Sequence, residues 1–348
     1  MQVEEKYMMR CLELAQSGRS SVAPNPMVGA VIVHKGQIIG EGFHRQYGCA
    51  HAEVHAIQAV QDETLLRDST LYVNLEPCAH TGKTPPCTEY ILQKQIPRVV
   101  VGCLDPYPKV AGKGITMLRD AGVEVITEVM EQEAMELNRF FMTAQRKRRP
   151  YIILKWAQSR DGYMDRIRTD ASEKPVQLST PVTRRHVHKL RSEVAAIMIG
   201  TNKAWLDNPF LTVRHWAGDS PVRVFPDRTF RIPSSYHLLD GKVRTLVFVP
   251  GSMFEVQNPP LKGTGGWRGF QVQKNIEYIE IDFSQQVIPQ MLDALFERKL
   301  YSLLVEGGAS LHQSFLDNGL WDELQIETAP VTLGNGVKVP VYKFVNNK

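Results

Sequence analysis

Apolar runs of strand length alternate with amphipathic segments of helical period along most of the chain, and one break interrupts them. A layered α/β architecture buries both kinds of element in that order. The break is Arg146-Lys147-Arg148-Arg149-Pro150, a basic run ending in proline, read as a solvated linker at 146–150 rather than a phosphate contact. It leaves domains at 1–145 and 151–348. A chain of 348 residues suffices for two cores at roughly 100–200 residues each.

In the first half, Val3, Tyr7, Met8, Cys11, Leu12 and Ala15 recur at helical spacing, with Gly18 as a stop. Val28–Val33 and Ile38–Phe43 read as strands joined by the turn Lys35-Gly36-Gln37. A helix is expected at His51–Val60, a strand at Leu71–Leu75, a Pro- and Gly-rich loop at 76–86 and a helix at Cys87–Gln95. A strand at Arg98–Leu104, a helix at Gly114–Ala121, a strand at Val123–Thr127 and one long helical pattern from Met130 through Phe141 follow. In the second half, strands are expected at Tyr151–Ala157, Ala195–Gly200, Val222–Asp227, Thr245–Pro250, Tyr278–Asp282, Ser302–Glu306 and Glu323–Ala329. Helices are expected from the Thr180-Pro181 start to Arg191, at 286–299 and at 309–318. Residues 160–180 read as irregular and 251–274 as a surface loop.

Forty-one basic residues against 37 acidic leave a charge of +4, which predicts no general attraction to nucleic acid or anionic membrane. No apolar run approaches the roughly 18–20 residues of a membrane span. The charged start, Met1 to Lys6, does not read as a secretory signal. Five cysteines are an odd number, so reduced thiols in a cytoplasmic protein are expected, serving as core residues, ligands or nucleophiles.

Three of the motifs carry metal chemistry: His51-Ala52-Glu53, Pro77-Cys78 and Cys87. Zinc prefers imidazole and thiolate, and a catalytic zinc keeps three protein ligands with a fourth position open to water. It lowers the pKa of that water to around 7. Glu53, at the mouth of a helix, can take a proton from the water and hand it to a leaving group. H-x-E followed by P-C and a second cysteine is the signature of zinc deaminases of nucleobases, in which the Glu is not a ligand. Taken singly, the cysteines read as buried thiols and His51 as an ordinary polar residue. Their order, Pro77 and the Cys87-headed helix together favour the metal. His51 and His55 share a helical face, but the metalloprotease form needs Glu directly after the first His, where Ala52 stands. Cys49 is a possible further ligand, and Cys11 and Cys103 read as core. Eight residues, Ala79 to Pro86, separate Cys78 from Cys87 where the simple pattern has two. A long loop carrying His80 and Lys83 suits a substrate with an anionic tail.

Pro24-Asn25-Pro26-Met27-Val28-Gly29, Gly40-Glu41-Gly42-Phe43-His44, His51-Ala52-Glu53, the run Glu76 to Cys87 and the run Asp105 to Gly114 together resemble the bifunctional riboflavin-biosynthesis deaminase–reductase family. The likeness covers residues 1–145. It implies a cytidine-deaminase-like three-layer domain acting on 2,5-diamino-6-ribosylamino-4(3H)-pyrimidinone 5′-phosphate, whose 2-amino group leaves as ammonia. It also implies that Asn25 holds the pyrimidine, whose edge an amide reads with a donor and an acceptor. His44, His80 and Lys83 match positions near the sugar phosphate.

The second half resembles the reductase domain of the same family more loosely, at Lys155, Ser159-Arg160-Asp161-Gly162, Gly200-Thr201, the run Asp207 to Arg214 and Val305-Glu306-Gly307-Gly308-Ala309. This implies a dihydrofolate-reductase-like fold that uses NADPH to reduce a ribosyl group to ribityl. Lys155 and Glu306 would be catalytic, and Asp207, Leu211 and Arg214 would contact substrate. Arg191 and Arg214 are candidates for gripping the 5′-phosphate, although Arg191 reads equally as an exposed helix residue. Ser159, Gly200, Thr201, Lys203, Gly307 and Gly308 would contact the cofactor. Two glycines at a strand end opening a helix can cradle an anion with backbone N–H groups. No G-x-G-x-x-G is present. The departures are Gln177 where the family has Trp, Lys203 where it has threonine, and a longer, more charged segment Asp165–Lys174.

Three alternatives stand beside this reading. One keeps the deaminase and makes the second half non-catalytic. One is a deaminase of tRNA or free nucleobase, which predicts the two-residue cysteine spacing and a single short domain. One is a structural zinc protein on nucleic acid, which needs a fourth ligand and a basic face. The family implies a homo-oligomer acting on a small phosphorylated pyrimidine, with neither nucleic acid nor membrane as partner.

Overall fold

The computed structural model describes residues 3–79, 85–107, 111–251 and 274–342. The chain forms two compact units, Met1–Arg148 and Arg149–Lys348.

The first unit contains α1 (Val3–Gln16), β1 (Gly29–His34), β2 (Gln37–Phe43), α2 (Ala52–Gln58), β3 (Ser69–Leu75), α3 (Cys87–Gln93), β4 (Arg98–Cys103), α4 (Lys113–Asp120), β5 (Glu124–Ile126), α5 (Glu131–Leu137) and α6 (Arg139–Lys147). The sheet order is β2-β1-β3-β4-β5. The hairpin pairs antiparallel, β1 pairs antiparallel with β3, and β3, β4 and β5 run parallel. Side chains alternate across β1. Ala30 and Ile32 pack with Ala52, Ala56, Ile57, Ile91 and Leu118 on one face. Val31 and Val33 pack with Tyr7, Met8 and Cys11 of α1 on the other. This is the expected three-layer domain. A Cβ on Gly42 would stand 2.4 Å from the Ala56 nitrogen and 2.5 Å from the Ala52 oxygen. Glycine there lets α2 lie directly on β2, which fixes the height of His51 and Glu53 above the sheet.

The helical pattern from Met130 is two helices, not one. They part at Asn138, whose side chain accepts from Met27 N at 2.8 Å and donates to Met27 O at 2.9 Å. The basic run is also less of a linker than its composition suggests. Arg146 and Lys147 form the last turn of α6, where cations favour the helix C-terminus. Arg149 is held by Asp322 at 2.5 and 3.0 Å.

The second unit contains β6 (Tyr151–Gln158), β7 (Tyr163–Asp165), α7 (Pro181–Glu193), β8 (Ala196–Ile199), α8 (Thr201–Asp207), β9 (Val222–Pro226), β10 (Thr245–Pro250), β11 (Ile276–Ile281), α9 (Val287–Glu297), β12 (Ser302–Gly307), α10 (Ala309–Asp317), β13 (Glu323–Thr328) and β14 (Val337–Lys338). Seven strands form a parallel sheet in the order β11-β10-β9-β8-β12-β6-β13. Its core joins Ile152, Leu154 and Trp156 to Met198, Phe248 and Val305, and to Met291, Leu292 and Leu295 of α9. Helix α7 starts at the expected Thr180 cap, with Pro181 in the first turn and a reciprocal Thr180–Thr183 bond. The region read as irregular contains β7, paired antiparallel with β14. The loop expected at 251–274 lies almost wholly outside the described residues. Among the described residues no helix is long and apolar enough to cross a membrane.

Candidate active sites

His51 caps α2, Glu53 lies in its first turn, Cys87 opens α3 after Pro86, and Cys78 follows β3. One donor atom from each of His51, Cys78 and Cys87 lies within 4.8 Å of the others. His51 Nδ1 is 3.2 Å from Cys87 Sγ and 3.6 Å from Cys78 Sγ. The Cys87 backbone N–H donates to Cys78 Sγ at 3.3 Å. Hydrogen bonds from the Cys87 thiol and from His51 bring the Cys78 pKa down. Cys87, as the donor, is pushed up. One imidazole and two sulfurs fit a zinc ion, which would displace the thiol protons. Among the described residues Cys49 does not join this group; it lines the neighbouring cavity and is exposed.

Glu53 is buried, and its Oε2 has no hydrogen-bond partner. Burial raises its carboxyl pKa. A buried carboxyl beside a cavity, with an unused oxygen, can take up and give back a proton. The cavity has about 350 Å³ and is walled by Asn25, His44, Tyr47, Leu75 and Phe141. His44 is buried and its pKa is lowered by that burial, so the ring is neutral. Its Nδ1 lies 3.1 Å from Ala50 O, which accepts only, so the proton sits on Nδ1 and Nε2 accepts from Asn25 Nδ2 at 3.2 Å. That leaves the Asn25 oxygen for a ligand. His80 and Lys83 lie outside the described residues.

Sequence reasoning missed the residues that hold these groups. Asn74 accepts from Gly29 N at 2.8 Å and donates to Met27 O at 3.1 Å, so with Asn138 it fixes the segment carrying Asn25. Glu76 accepts from the N–H groups of Asp105, Gly112 and Gly114 at 3.1, 2.9 and 2.9 Å. It thereby anchors the chain that delivers Cys78. A Cβ on Gly114 would stand 2.1 Å from Pro77 O, so only glycine fits there. A buried Asn inside an apolar strand was the available signal for Asn74.

In the second unit, Lys155, Gly200, Thr201, Lys203, Asp207, Glu306 and Gly308 line one cavity of about 670 Å³. It opens where β8 and β12 end and α8 and α10 begin, as ligand sites on parallel sheets do. Burial lowers the pKa of Lys155, against the opposing effect of Glu306 and Glu327. Lys155 Nζ lies 3.8 Å from Glu327, which Ser179 and Thr183 hold at 2.7 and 2.6 Å. The Thr201 hydroxyl donates to Pro226 O at 2.6 Å. Gly307 backs the cavity; a Cβ there would stand 2.1 Å from Lys203 Cδ.

Five of the expected residues, Gly307 among them, sit outside that cavity lining. Ser159 is buried in a turn, donating to Asp161 at 2.6 Å and accepting from Tyr163 N at 3.0 Å. Arg191 is committed to Glu306 through two hydrogen bonds and to Thr212 O at 3.1 Å, so it orients the carboxylate. Leu211 is buried. Arg214 lies over the Phe210 ring at 4.9 Å, and its backbone N–H donates to His188 Nδ1 at 3.0 Å.

A hydrolytic deaminase site and a reductase cavity on a parallel sheet define a two-activity enzyme. Residues 1–103 match the cytidine and deoxycytidylate deaminase zinc-binding region, and residues 150–343 match the RibD C-terminal domain. The chain is 40% identical over 334 residues to riboflavin biosynthesis protein RibD of Bacillus amyloliquefaciens, covering 95% of this chain and 86% of that one. It is similar to the Acinetobacter baumannii RibD structure (form 1), with TM-score 0.83 and 32% identity over 99% of this chain and 93% of that one. It is likewise similar to the Thermotoga maritima diaminohydroxyphosphoribosylaminopyrimidine deaminase/5-amino-6-(5-phosphoribosylamino)uracil reductase, with TM-score 0.82 and 35% identity over 98% and 92% of the two chains. The chain belongs to the RibD family of bifunctional riboflavin-biosynthesis enzymes, hydrolase in its first domain and oxidoreductase in its second.

Proposed function

We propose that the chain removes ammonia from 2,5-diamino-6-ribosylamino-4(3H)-pyrimidinone 5′-phosphate and then reduces the ribosyl group of the product to ribityl with NADPH. The observation that carries the first step is the unpartnered, buried Glu53 oxygen beside the His51, Cys78 and Cys87 donors. A zinc ion held by those three would supply an activated water when bound. Glu53 would accept the proton of that water and pass it to the departing amine. The Asn25 oxygen, freed by the His44 contact, would read the pyrimidine edge. His80 and Lys83 would face the sugar phosphate. Apolar walls from Leu75 and Phe141 would keep bulk water from the reacting carbon.

For the second step, NADPH would supply a hydride, and the chain would bind and orient both partners. Gly200, Thr201, Lys203, Gly307 and Gly308 would bound the cofactor. Glu306, oriented by Arg191, and Lys155 would face the sugar. Lys155 is the ammonium whose proton is loosened by burial. Asp207, Leu211 and Arg214 would hold the rest of the substrate. The convergence of Lys155 and Glu306 on one cavity favours a working reductase over a non-catalytic half. A reduced compartment, the cytoplasm, would suit five free cysteines, two of which would hold the metal. A homo-oligomer is the family's expectation.

The test uses zinc-loaded full-length protein with the diaminopyrimidine phosphate. Ammonia is followed first without NADPH, and then NADPH is added. The expected result is ammonia release followed by NADPH oxidation of equal amount. Ammonia without NADPH oxidation would confine the activity to the first domain.

A further inference from the structure

The segment that departs from the family pattern forms a wall of the reductase cavity. Asp165, Arg166, Ile167 and Arg168 line it on one side. The segment is held firmly. Asp165 pairs with Val337 in the β7–β14 ladder, and its Oδ1 accepts from Val176 N at 2.9 Å. Arg168, only 6% exposed, donates to Asp165 at 2.7 Å and to Asp207 across the cavity. Lys203 donates to the other Asp207 oxygen at 2.7 Å. The two departures, the charged segment and Lys203, thus meet on one carboxylate.

The charges in this cavity do not cancel. Glu306 is taken up by Arg191, Lys155 by Glu327, and Arg168 and Lys203 by Asp165 and Asp207. Arg166 remains. Its side chain is exposed, lines the cavity and forms an ion pair with no carboxylate among the described residues. A guanidinium on a rigid wall, facing a cavity that carries one excess positive charge, is built for a phosphate.

We propose that Arg166 is a phosphate-binding, specificity-determining residue of the reductase site, and that Arg168 holds it in place. This rests on the reductase reading above. Two phosphates belong to that reaction, the cofactor's and the sugar's. The shared chemistry is a phosphate monoester gripped by a guanidinium.

The experiment compares wild type with Arg166→Gln in steady-state reduction of pre-deaminated substrate. NADPH is compared with NADH, and the phosphorylated substrate with its dephosphorylated nucleoside. Arg166 is exposed, so its removal leaves folding intact; the wild-type thermal melt checks this. About a tenfold rise in KM for one phosphorylated partner, with kcat retained, is expected. A rise for NADPH but not NADH assigns the cofactor phosphate. A rise for the phosphorylated substrate but not the nucleoside assigns the sugar phosphate. Arg168→Gln should raise the same KM. Unchanged KM values, or a fall in kcat alike for all partners, would overturn the proposal. A wild-type protein without NADPH oxidation would instead overturn the reductase reading beneath it.

Discussion

Arg191 on α7 and Glu306 on β12 meet as a two-pronged pair, Nε to Oε1 at 2.8 Å and Nη2 to Oε2 at 2.6 Å. Their side chains are only 11% and 10% exposed. The arginine that composition and position offer to a phosphate thus turns its Nε and Nη2 to a carboxylate at the cavity wall. Arg191→Met leaves that buried carboxylate without its hydrogen-bonded partner, with only the charges of Lys155 and Lys203 nearby. The expected cost is about 3–5 kcal/mol of stability, read by urea unfolding. Reduction should be lost while ammonia release persists, since Glu53 and its neighbours belong to the other unit. Undiminished reduction in this variant would contradict the pairing's role.

The same pair sets an acid limb of stability. Burial pushes the Glu306 carboxyl up, but the charge and hydrogen bonds of Arg191 more than offset this and hold it below its usual range. A carboxyl lowered in the folded state stabilises fully above its unfolded pKa of about 4.3 and loses that contribution as pH falls through the folded value. Melting temperature should therefore fall more steeply below about pH 4 in wild type than in Arg191→Met. Parallel slopes for the two proteins would count against the shift.

Glu76 gathers three backbone N–H groups around the chain entering Cys78. Glu76→Gln turns an amide donor toward one of those N–H groups. We expect a loss of about 1–3 kcal/mol and a weakening of metal affinity of about tenfold or more. Thermal melts and competition with a chromophoric chelator measure the two effects. Wild-type metal affinity would show that Glu76 supports the fold without tuning the donors.

Chelation of the metal, or Cys87→Ser, should abolish ammonia release while leaving reduction of pre-deaminated substrate intact. His51, Cys78 and Cys87 lie in the first unit, and Lys155 and Glu306 in the second. Ammonia release that survives complete metal removal would remove the donor set from the chemistry.

The alternation of apolar and amphipathic runs was enough to read the two α/β units, because buried strands and helical faces are written in local periodicity. The candidate metal donors were legible because zinc restricts donor types and the motifs are short. The supporting residues were not. Asn74, Glu76 and Asn138 act through backbone groups distant in sequence, and no local spacing encodes such partners. Helix α8 and the β7–β14 pair escaped because two or three residues of strand, or seven of helix, carry too little pattern. Arg191 was legible as a cation near the site. Its partner Glu306 stands 115 residues away, so only the folded sheet shows where its charge is used.

The proposed reaction sequence needs two sites, the first dependent on Glu53. Its most direct test is Glu53→Gln in the zinc-loaded protein, with ammonia and NADPH followed on both the diaminopyrimidine phosphate and the pre-deaminated compound. A fall in ammonia release of about a hundredfold or more is expected, with pre-deaminated substrate reduced at the wild-type rate. Ammonia release at the wild-type rate, or loss of both activities in a protein that still folds and binds zinc, would contradict it.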